Sequence, residues 1–407
     1  MRYCITFAGA GDRLEVDYQF DDLSCRTSVI QEALVQFFSP DKIYVLATPK
    51  SQKSFPDIVS KAPCCEMVPI PDGKNTGELW EIFRIIGSLV NPGDTILFDL
   101  THGFRSLPFI SFLAVAYLQE IKKVEVEKVV YGALSDDRTR GEMIDLTDFT
   151  RILQWMMAVH SFLKFSEGSD LSALLRSTHR QFYLSGQEGP APRRLQSFGE
   201  MIDNFSTAMK LARPVDVSGI SSDIISALPD VTQEIGRFAP PLESIIGSIA
   251  DLETFTTGPQ EILTPEILDQ QWKTVRYLLD KSLILQAVSL SREWIVNYSI
   301  LLTGNAPEIW LDKSTRNTIE HALNYEVERR KKSPNPMIKP TIVTPVLEQT
   351  PGIDNLAKIW NKTISKRNNL AHCGMNKEIH QMRAMKADAD KVIADIEGFY
   401  QHYPLES

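Results

Sequence analysis

Asp94-Thr95-Ile96-Leu97-Phe98-Asp99-Leu100-Thr101-His102-Gly103-Phe104-Arg105 is a short apolar run that breaks into a polar, glycine-containing loop, and a strongly apolar helical stretch follows over 104–120. A strand over 94–100 feeding a helix through such a loop is one half of a βαβ unit. Its interior lacks polar alternation, so both faces of the strand must be buried, and that requires helices on both sides of a parallel sheet. Working outward, residues 3–8 (Tyr-Cys-Ile-Thr-Phe-Ala) form another β-prone run that ends in Gly9-Ala10-Gly11, and residues 42–47 form a third that ends at Thr48-Pro49. Between those two, 27–38 has helical spacing through Ile30, Ala33, Leu34 and Phe37. A helix over 76–90 follows the Pro71-Asp72-Gly73 turn, and 126–132 and 142–146 supply further strands. Alternation of this kind predicts a Rossmann-like α/β domain with a mainly parallel sheet over residues 1–149.

Beyond Asp148 the texture changes. Residues 150–165 are periodic at helical spacing, and no convincing strand follows. Helices are expected near 194–212, 219–227, 230–253, 264–281, 283–302, 314–332, 352–372 and 376–402. Breakers stand at 185–192, Arg213-Pro214, Pro240-Pro241 and 333–340. Residues 150–407 therefore read as an all-α domain with linker helices and a helical insertion.

Composition narrows the function classes. The chain has 407 residues, enough for two or three domains, and 43% hydrophobic with 23% charged residues is ordinary for a folded protein. A net charge of −9 disfavours a broad basic face for duplex DNA and leaves room for a small local nucleic-acid site. Five cysteines with no repeated spacing give neither a disulfide framework nor a zinc motif, so no metal is expected. The longest apolar run, 107–118, is interrupted by Pro108 and Ser111 and is too short to span a bilayer. Without a recognisable secretory signal, the expected address is the cytoplasm.

Ligands of open parallel sheets bind beyond the carboxyl ends of the strands, and two such ends carry suitable chemistry. Gly9-Ala10-Gly11 permits close backbone approach, but Leu14 stands where a dinucleotide fingerprint needs its last glycine. That gap, with no ribose-binding acid after a second strand, counts against an NAD(P)-dependent enzyme. The loop at 99–105 is richer. Thr101 can donate a hydrogen bond, Gly103 lets a ligand close in, Arg105 can grip a phosphate, and a helix N-terminus offers free N–H groups. The structural alternative makes Asp99 or Thr101 a helix cap and Arg105 an internal ion-pair partner.

In the helical half, Arg367-Asn368-Asn369-Leu370-Ala371-His372 sets an arginine five positions before a histidine. Arginine grips phosphate at any pH, and histidine moves protons near neutrality. Five residues turn a helix by about 500°, leaving the side chains ~140° apart, so one helix presents them poorly to a common atom and a two-fold pairing of helices would serve better. Arg316 and His321 repeat the spacing but rank second, because Glu320 adds negative charge beside the histidine and Ser314-Thr315 read as a helix start. Trp155, Trp272, Trp294, Trp310 and Trp360 sit among aliphatics at core spacing, 329–332 reads as a solvated basic helix end, and nothing marks Cys373 as a nucleophile.

Taken together, Phe7-Ala-Gly-Ala-Gly11, residues 43–48, Asp99-Leu-Thr-His-Gly-Phe-Arg105, Tyr131-Gly132 and Ile144-Asp-Leu-Thr147 resemble the CARF sensor domain of CRISPR-associated proteins. Arg367-Asn368 with His372 resembles the R-x4-6-H motif of HEPN ribonucleases. The whole chain thus resembles the CARF-HEPN accessory ribonucleases of type III CRISPR systems. That resemblance implies a homodimer or higher homo-oligomer activated by cyclic oligoadenylate, tetra- or hexa-adenylate, and a metal-independent cleavage of single-stranded RNA. No other cofactor, no DNA and no membrane partner is implied. Arg367, Asn368 and His372 would be catalytic, and Gly9, Ala10, Gly11, Thr48, Asp99, Thr101, His102, Gly103 and Arg105 would hold the messenger. The alternatives within the family are a messenger-binding regulator with a catalytically weak helical domain, or a sensor that also cleaves the ring through His102 and Arg105.

Overall fold

A computed structural model describes residues 1–9, 14–103, 107–185, 191–238, 240–331, 335, 337–372 and 382–405. It divides into two compact units, Met1–Gln154 and Trp155–Ser407.

The first unit is an α/β sandwich on an eight-stranded sheet. In chain order its elements are β1 (Arg2–Phe7), β2 (Val16–Phe20), β3 (Leu23–Thr27), α1 (Ile30–Phe38), β4 (Lys42–Ala47), α2 (Phe55–Lys61), β5 (Cys65–Pro69), α3 (Thr76–Ser88), β6 (Thr95–Asp99), α4 (Leu107–Glu120), β7 (Glu125–Leu134) and β8 (Arg140–Asp145). The spatial order is β3-β2-β8-β7-β6-β1-β4-β5. β1 lies centrally and pairs in parallel with both β4 and β6, while β7–β8 and β2–β3 are antiparallel. The mainly parallel sheet is therefore as the sequence predicted.

Alternate residues of each central strand feed opposite cores. Cys4, Ile43, Val45 and Leu97 pack under Ile30, Leu34 and Ile58 of α1 and α2. Ile5, Phe7, Ile96 and Phe98 pack against Ile82, Ile86, Leu107 and Val115 of α3 and α4. This is the double burial that unbroken apolar strands demand. Asn75 caps α3, accepting from the N–H of Glu78 at 3.0 Å while Glu78 reaches back to the N–H of Lys74 at 2.9 Å.

Three strands escaped the sequence reading. β2 and β3 form a hairpin whose turn places Asp21 at φ 48°, and the hairpin stands between β1 and α1 where a direct connection was expected. Its signal was present as Val-Asp-Tyr-Gln-Phe and Leu-Ser-Cys-Arg-Thr, half-apolar alternation around Asp21-Asp22. β5 is a short edge strand beside β4. Of the helix expected over 104–120 the structure describes Leu107–Glu120, and residues 104–106 lie outside the described residues.

The second unit is all helical among the described residues. α5 (Thr147–Phe165) crosses the divide and is followed by α6 (Ser169–Ser185), α7 (Leu195–Lys210), α8 (Pro214–Gly236), α9 (Pro241–Gly247), α10 (Pro265–Asp280), α11 (Ile284–Thr303), α12 (Lys313–Arg329), α13 (Thr344–Glu348), α14 (Ile353–Ala371) and α15 (Met382–His402). The helices expected at 219–227 and 230–253 are corrected: one helix, α8, runs through Pro229, and the chain breaks instead at the Pro240-Pro241 pair. α6 was not foreseen. All five tryptophans named above are buried in one core, with Trp294 and Trp360 fully so. No described helix is long and apolar enough to cross a membrane.

Candidate functional site

The residues singled out at the sheet gather at the carboxyl ends of three neighbouring strands, β6, β1 and β4. Among the parallel strands β4 stands on one side of β1 and β6 with β7 on the other, so the strand order reverses here, and the space beyond such a reversal is where open parallel sheets bind ligands. Gly9 follows β1, Thr48 follows β4, and Thr101, His102 and Gly103 follow β6. Gly9 and the Thr101–Gly103 turn are half-buried, whereas Thr48 and Asp99 are buried. Ala10, Gly11 and Arg105 lie outside the described residues, as do Cys373 and Gly374 of the helical motif.

Beneath these strand ends Asp99 is fully buried and occupied internally. Its Oδ2 accepts the Thr6 hydroxyl at 2.6 Å, and its Oδ1 accepts the Thr101 N–H at 3.0 Å and the Thr101 hydroxyl. Burial raises the carboxyl's pKa, and the hydrogen bonds from Thr101 and Thr6 oppose that shift. Thr101 then accepts the N–H of Gly132 on β7 at 2.8 Å. A Cβ at Gly132 would stand 3.0 Å from that hydroxyl oxygen, so the close approach needs glycine. Gln31 of α1 donates to Thr6 and to the Phe7 carbonyl. Through these bonds Asp99 shapes the loop from below. Thr6 and Gln31 are supporting residues to which the sequence reading gave no role, and Gly132, quoted there only as part of the resemblance, finds its physical reason here.

On top of this base the His102 imidazole lies against Gly9, where an added Cβ would come within 3.2 Å of the ring. Ser54 ties the adjoining loop to the strand end by donating to the Gly9 carbonyl at 3.0 Å. The Thr48 hydroxyl pairs with Ser51 at 3.2 Å. What the strand ends can offer a ligand is a glycine floor, an imidazole and backbone groups of a turn.

The second candidate cluster lies at the end of α14. Arg367, Asn368 and His372 are all exposed, with His372 closing the helix. Arg367 donates to the Asn368 side-chain oxygen at 3.2 Å, and the His372 N–H bonds to the Asn368 carbonyl at 3.0 Å. Trp360, fully buried, anchors the helix by donating to Asn324 at 2.9 Å. Lys362 and Lys366 pair with Asp395 and Asp388, fastening α14 to α15.

The matching pair on α12 has a different environment. Arg316 donates to Asn297 at 2.7 Å, to Glu293 at 2.5 Å and to the Trp310 carbonyl at 3.3 Å, while Glu320 pairs with Arg292. Arg316 is a structural residue. The basic run after it is likewise engaged, because Arg329 and Arg330 both bond the fully buried Glu326. Among the described residues no group of three His, Cys, Asp or Glu side chains is placed to hold a metal.

An α/β unit with the candidate residues at its strand ends, followed along the chain by an all-α unit, is the order that the resemblance drawn from the sequence implies. Residues 151–256 match the family described as CRISPR-associated protein MJ1674, second domain. CRISPR-associated protein MJ1674 of Methanocaldococcus jannaschii is 30% identical over 114 residues, 27% of this chain. The chain covers 18% of that relative's length. Among solved structures, Enterococcus italicus Csm6 bound to cyclic hexa-2'-fluoro-hexa-dAMP aligns with 100% of this chain and 95% of its own at 11% identity, with a TM-score of 0.41 that carries no argument. Over that segment the chain is thus similar to a CRISPR-associated protein.

Proposed function

We propose that the chain is an accessory ribonuclease of type III CRISPR defence, in which cyclic oligoadenylate bound at the strand-end crevice activates metal-independent cleavage of single-stranded RNA at the end of α14. The observation that carries the reading is that Arg367, Asn368 and His372 stand exposed at the end of α14 with no ion pair among the described residues, in a chain whose sheet gathers a separate set of glycine, threonine and histidine positions at its strand ends. The matched CRISPR-associated domain between the two supports it.

In this reading Gly9 and the turn at Thr101, His102 and Gly103 contact the messenger, and Thr48 and Asp99 hold the loops in place. Two copies of the chain pair so that a ring of repeated nucleotides meets a two-fold pocket and two α14 ends form one nuclease cleft. The RNA 2'-oxygen attacks the adjacent phosphorus and the 5'-oxygen of the next nucleotide leaves. His372 transfers the proton, Arg367 stabilises the charge on the phosphoryl oxygens, and Asn368 orients Arg367. The products are a 2',3'-cyclic phosphate and a 5'-hydroxyl. Activation draws on the messenger's higher affinity for the active dimer arrangement.

The test is cleavage of a fluorescent single-stranded RNA in EDTA, with cyclic tetra-adenylate, cyclic hexa-adenylate or neither. Stimulation by one ring supports the reading; silence with both, despite ring binding, removes the nuclease assignment. The His102 ring packed on Gly9 favours a second reading, that the crevice itself cuts the messenger, which chromatography of the recovered ring would reveal.

A further inference from the structure

Within the helical unit a groove of about 400 Å³ lies between α6 and α7, lined by Arg176, His179, Arg180 and Tyr183 of α6 and by Gln196 and Glu200 of α7. That volume falls within the roughly 300–1,000 Å³ typical of ligand sites. Spacings of three and four residues bring the α6 side chains onto one strip of helix, in which His179 and Tyr183 continue the row of Leu171 and Leu175, the two residues that enter the core.

The strip does little for the fold. Arg180 is exposed and makes no ion pair among the described residues. The buried Nδ1 of His179 has no hydrogen-bond partner among the described residues, a cost that core packing alone does not return. The Tyr183 ring is 59% exposed, yet it is held 5.1 Å from the His179 ring and edge-on to Phe182 at 5.7 Å. Among the described residues Arg176 makes the strip's one ion pair, to Asp203 at 2.8 Å.

A free guanidinium beside a propped, exposed aromatic ring and an imidazole is the combination that takes a single-stranded nucleotide, with phosphate on the cation and base on the ring. The geometry points to a second RNA contact here: Arg180 and Arg176 hold a backbone phosphate, Tyr183 stacks a base, and Gln196 with Glu200 accept from a base amino group or a ribose 2'-hydroxyl. The segment between the α/β unit and α14 thus guides substrate. This inference rests on the reading of single-stranded RNA as the substrate.

The full-length chain carrying His372→Ala, so that RNA stays intact, is titrated against a labelled single-stranded RNA by fluorescence anisotropy. Adding Arg180→Ala or Tyr183→Ala raises Kd about tenfold, the size of one lost base stack or phosphate contact, with far-UV circular dichroism unchanged. Arg180→Lys retains most of the affinity, and Arg180→Ala lowers the salt slope by about 0.7. Equal Kd in parent and groove variants overturns the inference and leaves the ribonuclease reading intact. A parent that binds no RNA overturns both. Unchanged RNA affinity with an altered oligomeric state makes the groove a protein contact and also overturns it.

Discussion

Arg316–His321 and Arg367–His372 have the same spacing and opposite fates. On α12 the guanidinium is drawn into Glu293, Asn297 and the Trp310 carbonyl, whereas on α14 its hydrogen-bond partner among the described residues is its neighbour Asn368. A motif of two residues specifies a helical offset and nothing about what surrounds it. The partners that consume Arg316 lie 19 and 23 positions away on α11, beyond the reach of a local pattern.

The widest separation between the pairs is expected in catalysis. Arg367→Ala with His372→Ala should lower messenger-stimulated RNA cleavage by roughly 10²–10⁴-fold while leaving the urea midpoint unchanged, since both side chains are exposed. Arg316→Ala should do the reverse. It leaves the buried Asn297 without a donor and should cost about 2 kcal/mol in urea unfolding, with cleavage per folded molecule retained. Loss of cleavage from Arg316→Ala without loss of stability would move the nuclease site to α12.

The α/β crevice sharpens the contrast, because its residues are fixed by one another and α14's are not. Gly9→Ala pushes a methyl group towards the His102 ring, which must give by a few tenths of an ångström. Messenger affinity should fall several-fold in calorimetry, with basal cleavage unaltered. The smallest effect concerns Asp99. Because burial raises its pKa, the folded chain holds that proton more tightly than the unfolded chain does. The resulting penalty is absent below the ordinary carboxyl value of about 4 and grows as pH rises through the raised one. Asp99→Asn should therefore gain stability relative to the parent between pH 4 and pH 7 in parallel melts. A difference independent of pH would contradict that assignment.

Legibility varied with the range of the interaction. The strands at β1, β4 and β6 were readable because each is a local apolar run closed by glycine or a polar turn, and most of the long helices carry their own periodicity. The β2–β3 hairpin was less so, since its half-apolar alternation is short and interrupts an expected βαβ connection. Asp99 was seen as a ligand residue or a helix cap. Its partner Thr6 is 93 positions away, and only that pairing shows the carboxylate turned inward.

By itself the sequence determined the class of the molecule: a mainly parallel α/β unit, a helical unit after it, glycine and threonine loops at the strand ends, and an arginine–histidine spacing near the last helix. Periodicity and turn chemistry are properties of neighbouring residues, so they survive in one dimension. Tertiary structure alone decided that Arg316 is consumed by the fold, that Asp99 is buried and bonded to Thr6 and Thr101, and that α6 carries, among the described residues, an unpaired cation beside an exposed ring. Those distinctions depend on burial and on partners brought together across the fold, and a charged group's role is set by what solvates it.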